Sequence, residues 1–229
     1  MITQKQHSKD EISKELLYKN RVIKSLFTTF FIVITSLVNI VSIVAFYNGV
    51  VSTNCYFLAI DLVFLIMVVL AIFVLPYNHY YYGMNFRNLW ENIKDGILFG
   101  IPFAIVALLY RYHLIKKGYE IYNFTGYFGF FSLIYPFVAV VQEISIKGIL
   151  QSYFVKAFET IDQKKTSAII VTSIVFSEFH AIYGYQAMIA TFLYGIITGY
   201  IYEKHRSFVA VSIIHTLAGF ALFGGSRLP

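Results

Sequence analysis

The sequence contains few cysteines and few charged residues for its length. Its 229 residues include a single cysteine, Cys55, which excludes an intrachain disulfide and a metal cluster built from cysteines. Charged residues make up 13% of the chain and hydrophobic residues 58%, whereas soluble domains contain about 25% and about 45–50% respectively. One globular core of this length cannot bury so many apolar residues, so the composition favours a polytopic membrane protein.

Other absences narrow the class further. The stretch 1–24 is polar and rich in lysine, without the short apolar core and small-residue cleavage site of a signal peptide. No stretch shows the ten-residue alternation of membrane-spanning strands. The net charge of +6 is spread among loops and the N-terminal arm, which is typical of a membrane protein's positive-inside bias, and no nucleic-acid partner is expected.

Apolar runs of roughly 20 residues, long enough to cross a bilayer as helices, recur about seven times. The predicted spans are 22–47, 55–77, 96–112, 125–146, 167–182, 185–202 and 207–224. The expected fold class is therefore all-α, a polytopic membrane bundle with about seven transmembrane helices. Residues 1–21 are expected to form a polar cytoplasmic arm, and residues 22–229 a single membrane domain.

The segment 80–94 has a different pattern. Phe86, Leu89, Trp90 and Ile93 recur at helical spacing, which predicts a short amphipathic helix lying in the membrane interface before the third span. An ordinary cytoplasmic loop is the alternative.

The charges in the loops predict how the chain is oriented across the membrane. Six basic residues lie between positions 5 and 24, and the loop 48–54 carries no charge, so the N-terminus is predicted to be cytoplasmic. A loop with Arg111, Lys116 and Lys117 falls outside in the seven-span arrangement, against the same rule.

Four polar residues lie inside or at the edge of predicted spans: Gln142 and Glu143, then His180, then His215. An ionisable side chain at membrane depth costs about 2.5–3.5 kcal/mol on insertion scales, so such residues usually face a protein interior or a water-filled cavity. Because three separate segments contribute them, the sequence predicts one buried polar site.

The residue types suggest hydrolytic chemistry. Glu143 and Lys147 are four apart and would share a face of a helix, either as a tuned general base with its counter-charge or as an ion pair at the membrane rim. The histidines can orient water, stabilise an oxyanion or bind a metal; core histidines with satisfied hydrogen bonds are the alternative. The zinc-protease pattern H-E-x-x-H occurs nowhere in the sequence.

The motifs resemble those of the CPBP membrane proteins, also called Abi or CAAX-type intramembrane endopeptidases. The family pattern is E-E-x-x-x-R-G, then F-x-x-x-H, then H-x-x-x-N on a later helix. This chain has Q-E-I-S-I-K-G at 142–148, Phe176 to His180, and His215 to Gly219. The resemblance covers about residues 80–224, including the glycine-containing stretch 194–202.

Three positions depart from that pattern. The first glutamate of the family, which activates the attacking water, aligns with Gln142, and an amide cannot take a proton from water. The arginine aligns with Lys147, which keeps the charge but loses the planar fork of donors. The final asparagine aligns with Gly219, which has no side chain. Either Glu143 takes the role of the base, or activity is weak or absent.

The resemblance implies two competing functions. In the first, the protein is an endopeptidase in which a glutamate activates water and histidines assist, with a peptide or small membrane protein as substrate. In the second, it is a catalytically impaired relative that binds a membrane partner, for example in bacteriocin immunity or envelope-enzyme regulation. A small transporter would also use buried polar groups, but the chain has no obvious duplicated half.

The resemblance also sets the expected surroundings of the site. No cofactor is expected; a zinc ion held by His180, His215 and Glu143 is the alternative. The expected partners are membrane lipid and a peptide or membrane protein. The expected location is the bacterial plasma membrane.

Overall fold

The computed structural model describes residues 2–75, 79–117 and 130–223, and throughout these ranges the chain forms helices and turns without a strand. The α-helices are α1 (Ile2–Tyr47), α2 (Thr53–Val74), α3 (Leu89–Lys116), α4 (Phe130–Glu143), α5 (Ser152–Ala157), α6 (Lys164–Glu178), α7 (Tyr185–His205) and α8 (Phe208–Phe223). A π-helix, Ile144–Gln151, joins α4 to α5, and 3₁₀-helices cover His79–Tyr82 and Ala181–Tyr183. The all-α prediction is confirmed.

Three helices are long and apolar enough to cross a membrane. They contain the candidate spans Tyr18–Tyr47, Cys55–Phe73 and Leu89–Lys116, and α8 carries a shorter apolar stretch, Phe208–Leu222. Length and apolar composition therefore identify membrane spans in α1, α2 and α3. The predicted number of about seven spans stays a prediction.

The chain divides into two compact units, residues 1–77 and 78–229. The first unit holds α1 and α2, which pack through the aromatic pair Phe31 and Phe64, with ring centroids 6.2 Å apart. The buried Tyr56 hydroxyl donates to Asn39 Oδ1 at 2.6 Å, so the two polar groups of this contact between apolar helices satisfy each other. The single membrane domain expected from residue 22 onward stays a prediction.

In the second unit, glycines bring two pairs of helices into close contact. A Cβ at Gly96 or Gly100 of α3 would lie 2.9 Å from Ile213 Cβ or 2.7 Å from Leu217 Cδ1 of α8. A Cβ at Gly195 or Gly199 of α7 would lie 2.8 Å from side chains of α6. The absent side chains let the backbones approach, as small residues do in membrane helix pairs.

Two helix boundaries differ from the prediction. The segment 80–94 does not form a separate amphipathic helix: Gly83, with φ of +76°, follows the first 3₁₀-helix, and α3 begins only at Leu89. Helix α6 ends at Glu178, before the predicted end of the span at residue 182, so that His180 lies in the turn to the second 3₁₀-helix. The reason in both places is a turn that apolar periodicity does not reveal.

A π-helix begins directly after Glu143. Its residues are buried throughout, and Gly148 passes the backbone of the first 3₁₀-helix so closely that a Cβ there would collide with the Tyr82 carbonyl oxygen. The Tyr81 hydroxyl donates to the Ser152 carbonyl at 2.8 Å and fixes the same crossing. π-Helical turns are rare and occur frequently at functional sites.

Candidate active site

Glu143 is the centre of a buried polar cluster. It is the last residue of α4 and is 1% exposed. Its Oε1 accepts hydrogen bonds from His215 Nδ1 of α8 at 2.9 Å and from the Tyr194 hydroxyl of α7 at 3.2 Å. Its Oε2 is buried and has no hydrogen-bond partner among the described residues. One carboxylate oxygen is thus held in place while the other keeps its lone pairs for a further donor.

The contact with Glu143 fixes the orientation of the His215 ring. Nδ1 faces Glu143 Oε1, which also accepts from the Tyr194 hydroxyl, so the proton of this contact is assigned to Nδ1. In the neutral imidazole the proton is then absent from Nε2, which presents a lone pair away from Glu143. The ring lies between aromatic neighbours, 5.8 Å from both the Tyr194 and the Phe176 ring centroids.

His180 lies on the other side of Phe176. Its ring centroid is 4.8 Å from the phenyl ring, and its Nδ1 is 3.1 Å from the Phe176 carbonyl oxygen. A carbonyl only accepts, so Nδ1 of His180 also carries a proton and Nε2 is the lone-pair nitrogen of the neutral ring. Both predicted histidines therefore flank one phenyl ring.

Lys147 does not form the predicted contact with Glu143. It is buried in the π-helix, and its Nζ donates to the Gly195 carbonyl oxygen of α7 at 2.7 Å. The two side chains interact only through their charges. The Lys147 side chain instead reaches across to the neighbouring helix α7.

Gln151, four residues after Lys147, makes the same kind of contact with α7. Its Nε2 donates to the Gly199 carbonyl at 3.1 Å. Lys147 and Gln151 therefore hold two successive turns of α7 against the π-helix. Tyr194, which precedes Gly195, is positioned by this pair of contacts.

Gln142 is half-buried and precedes Glu143 in α4. One residue corresponds to about 100° around an α-helix, so the Gln142 side chain points to a neighbouring face. The residue that meets His215 and Tyr194 is Glu143. The carboxylate of this helix thus lies at the cluster although the preceding position holds an amide.

Gly219, the other departure from the motif, has its missing side chain replaced by a tyrosine from α4. A Cβ at Gly219 would collide with the Tyr135 hydroxyl and would lie 2.6 Å from Tyr135 Cε1. The Tyr135 ring packs 6.2 Å from the His215 ring, edge to face. A phenol therefore occupies the space beside His215 that a larger residue at 219 would fill.

Sequence reasoning missed Tyr194, Tyr135 and Ser212. Ser212 is buried one turn before His215, and its Oγ has no hydrogen-bond partner in the described part of the chain. With 19 tyrosines in the sequence, nothing local distinguishes the two that reach the cluster. The spacing of Ser212 and His215 at i and i+3 on an apolar helix was the one available signal.

The side chains of the cluster also bear on the alternative that a zinc ion binds here. Within the described ranges, no group of three His, Cys, Asp and Glu side chains is arranged so that it could hold a metal ion. Glu143 and His215 are joined to each other by a hydrogen bond. The expectation that no cofactor is needed stays a prediction.

Comparison with known proteins gives one match. Residues 124–221 match the family model described as Rce1-like, Type II CAAX prenyl endopeptidase Rce1-like. This range is less than half of the chain. It contains all the motif positions from Gln142 to Gly219, and the match agrees with the resemblance that the motifs predicted. The comparison with curated proteins and the comparison with solved structures each found no match.

Proposed function

From the match of residues 124–221 to the model of the CAAX-type endopeptidase family, we propose that the protein is an intramembrane endopeptidase that hydrolyses a peptide bond in a peptide or small membrane protein. One observation carries this proposal: Glu143 is buried and held at Oε1 by His215 and Tyr194, whereas its Oε2 has no hydrogen-bond partner among the described residues. A buried carboxylate held in this way is suited to take a proton from a water molecule.

The reaction follows from these atoms. Glu143 Oε2 takes a proton from water, and the hydroxide adds to the carbonyl carbon of the substrate while the carbonyl π electrons move to its oxygen. When the tetrahedral intermediate collapses, the C–N bond breaks and Glu143 returns the proton to the leaving amine. General base catalysis of this kind contributes about 10²–10⁴-fold in rate.

His215, His180 and Ser212 support this reaction. The Nε2 lone pairs of the histidines and the Ser212 hydroxyl can hydrogen-bond the attacking water and orient it. Ser212 Oγ and Glu143 Oε2 are both buried atoms without a hydrogen-bond partner among the residues described. A buried water needs two to four polar partners, and these groups supply them.

The rest of the second unit belongs in the membrane in this proposal. The continuous helix from Phe130 to Ala157, together with α6, α7 and α8, would add to the three candidate spans and give about seven. The N-terminus lies in the cytoplasm of a bacterial cell, membrane lipid surrounds the bundle, and the substrate enters laterally or from the interface.

A second function is favoured by the residues that depart from the motif. Gln142 is an amide, and Lys147 is bound to the Gly195 carbonyl. A protein with these features would bind a membrane peptide or an envelope protein without cleaving it, as in bacteriocin immunity or regulation of an envelope enzyme.

A cleavage assay tests the proposed function. The purified protein in lipid nanodiscs is incubated with a farnesylated peptide ending in a CAAX sequence and with the same peptide lacking the farnesyl group, and products are identified by mass spectrometry. We expect the wild type and Glu178→Gln, a matched carboxylate variant on α6, to cleave. The double variant Glu143→Gln/His215→Asn should not cleave.

The same samples test the binding alternative. Retention of an intact peptide by the wild type and by the double variant, with no product from either, would support a binding protein and refute the endopeptidase. Cleavage by the double variant at the wild-type rate would refute the assignment of the site.

A further inference from the structure

The hydrolysis proposed above develops negative charge on the substrate oxygen, and something must donate to it. The Nδ1 protons of both imidazoles are already used within the protein: His215 donates to Glu143 and His180 donates to the Phe176 carbonyl. A further group with an O–H would add a donor for the oxyanion.

Two tyrosine hydroxyls lie at the cluster. The Tyr194 hydroxyl already donates to Glu143 Oε1 at 3.2 Å. The Tyr135 ring packs against the His215 ring, with ring centroids 6.2 Å apart at 76°. Because His215 is hydrogen-bonded to Glu143, the Tyr135 ring lies one side chain away from the carboxylate.

Gly219 explains how the Tyr135 hydroxyl reaches this position. Gly219 lies one turn after His215 on α8, and any Cβ there would collide with the Tyr135 hydroxyl. Only a glycine leaves room for the phenol at this position on α8. Phe220, with its ring centroid 5.4 Å from that of Tyr135, packs against the same phenol and limits its movement.

We propose that Tyr135 is a catalytic residue whose hydroxyl donates a hydrogen bond to the oxyanion of the tetrahedral intermediate. This inference rests on the proposed hydrolysis. As Glu143 takes the proton from water and hydroxide adds to the carbonyl carbon, the new O⁻ lies beside His215 and accepts from Tyr135. The hydroxyl keeps its own proton throughout, so the proton balance of the reaction does not change.

The variant Tyr135→Phe tests the role of the hydroxyl and retains the ring. Removing one oxyanion donor lowers kcat by about 10²–10³-fold, and we expect a fall of that size with little change in KM and an unchanged thermal unfolding curve. Tyr200→Phe is the control, because that hydroxyl pairs with Thr166 on the exposed side of α7. Equal rates for the wild type and Tyr135→Phe would overturn the proposal.

A rescue experiment distinguishes donation from packing. Tyr135→Ala empties the space beside Gly219, and the double variant Tyr135→Ala/Gly219→Asn places an amide N–H donor there. We expect the double variant to be about 10-fold or more faster than Tyr135→Ala, because part of the electrostatic stabilisation returns. A double variant that is no faster than the single one, although folded, contradicts donation as the role of position 135.

Binding of a stable analogue separates this inference from the proposed function. A peptide phosphinate mimics the charged tetrahedral intermediate and needs no turnover. We expect Tyr135→Phe to bind the phosphinate more weakly than the wild type does, and to bind the parent peptide equally well. This result supports Tyr135 as the oxyanion donor even if the wild type cleaves no peptide. In that case only the endopeptidase proposal fails. Equal phosphinate binding by both proteins overturns the assignment of Tyr135.

Discussion

At the scale of single residues, the position of the Glu143 carboxylate depends on the groups that donate hydrogen bonds to its Oε1. His215 and Tyr194 approach the same oxygen from two helices, so the carboxylate is anchored at one atom and its other oxygen keeps a fixed direction. Hydrogen bonds to charged groups are worth about 1.5–3 kcal/mol each. Losing one of the two should loosen the carboxylate without removing it.

Tyr194→Phe should therefore weaken the reaction and leave the fold intact. We expect kcat to fall by about 10-fold, equivalent to about 1.4 kcal/mol, because His215 still holds Glu143. Steady-state kinetics on the wild type, Tyr194→Phe and the exposed-hydroxyl control Tyr200→Phe measure this. A rate for Tyr194→Phe equal to that of the control would show that the hydroxyl does not position the carboxylate.

The ionisable residues of the cluster could be predicted from the sequence, but its two tyrosines could not. Glu143, His180 and His215 are conspicuous because ionisable groups in apolar helices need a protein partner. Tyr194 and Tyr135 are not conspicuous, because a tyrosine is compatible with lipid, interface or core. Their roles depend on which helices face each other, and spacing along one helix does not contain that information.

At the scale of helices, the π-helix after Glu143 determines how α4, α5 and α7 fit together. Its extra residue per turn directs Lys147 and Gln151 toward the carbonyls of α7. Both carbonyls belong to glycines, where the backbone is accessible to a side chain from the neighbouring helix. The element that bears the catalytic carboxylate is thus fastened to the element that bears Tyr194.

Lys147→Ala should destabilise the protein more than a substitution at a surface lysine. It removes a buried stem and the Gly195 contact, and we expect a loss of about 2 kcal/mol or more. Lys165, which is exposed and 3.6 Å from Glu203, is the control, since exposed ion pairs contribute about 0–1 kcal/mol. Unfolding in detergent micelles measures the stability of Lys147→Ala and Lys165→Ala. The variant Lys147→Met retains an apolar stem without the hydrogen bond, so it separates the hydrogen bond from the packing. Equal stability of Lys147→Ala and Lys165→Ala would contradict the role given to Lys147.

Apolar periodicity predicted where most helices lie, but it did not predict the irregular turns within and between them. The predicted spans coincide with α2, α7 and α8 to within a few residues at the described ends. The span 22–47 ends with α1 at Tyr47, but α1 itself begins at Ile2, within the predicted polar arm. The start of the predicted span 125–146 lies outside the described residues. The π-helix was not predicted, because Q-E-I-S-I-K-G reads as an ordinary helix until Gly148 has to pass the Tyr82 carbonyl.

At the scale of the whole molecule, the orientation of the chain in the membrane is open to a direct test. Cys55 is the single cysteine of the sequence, is exposed, and lies at the start of α2 after the uncharged loop 48–54. If the N-terminus is cytoplasmic, Cys55 faces the exterior. One natural thiol therefore reports the orientation of the first two helices.

Labelling of intact cells with a membrane-impermeant maleimide should modify Cys55. Cys55→Ser provides the background, and a variant with Thr166→Cys in that background reports the first turn of α6, which follows the loop that the seven-span arrangement places in the cytoplasm. We expect the wild type to be labelled before lysis and Thr166→Cys only after lysis. The reverse pattern would refute the predicted orientation.

Glu143 is the base that activates water in the proposed reaction, and three proteins test this role directly: the wild type, Glu143→Gln and Gln142→Glu. In a cleavage assay run in H₂¹⁸O, the wild type should place one ¹⁸O in the new carboxyl group. Glu143→Gln should lose at least about 10²-fold in rate, and Gln142→Glu should change the rate little, because its side chain lies on another face of α4. Cleavage by Glu143→Gln at the wild-type rate would contradict the account.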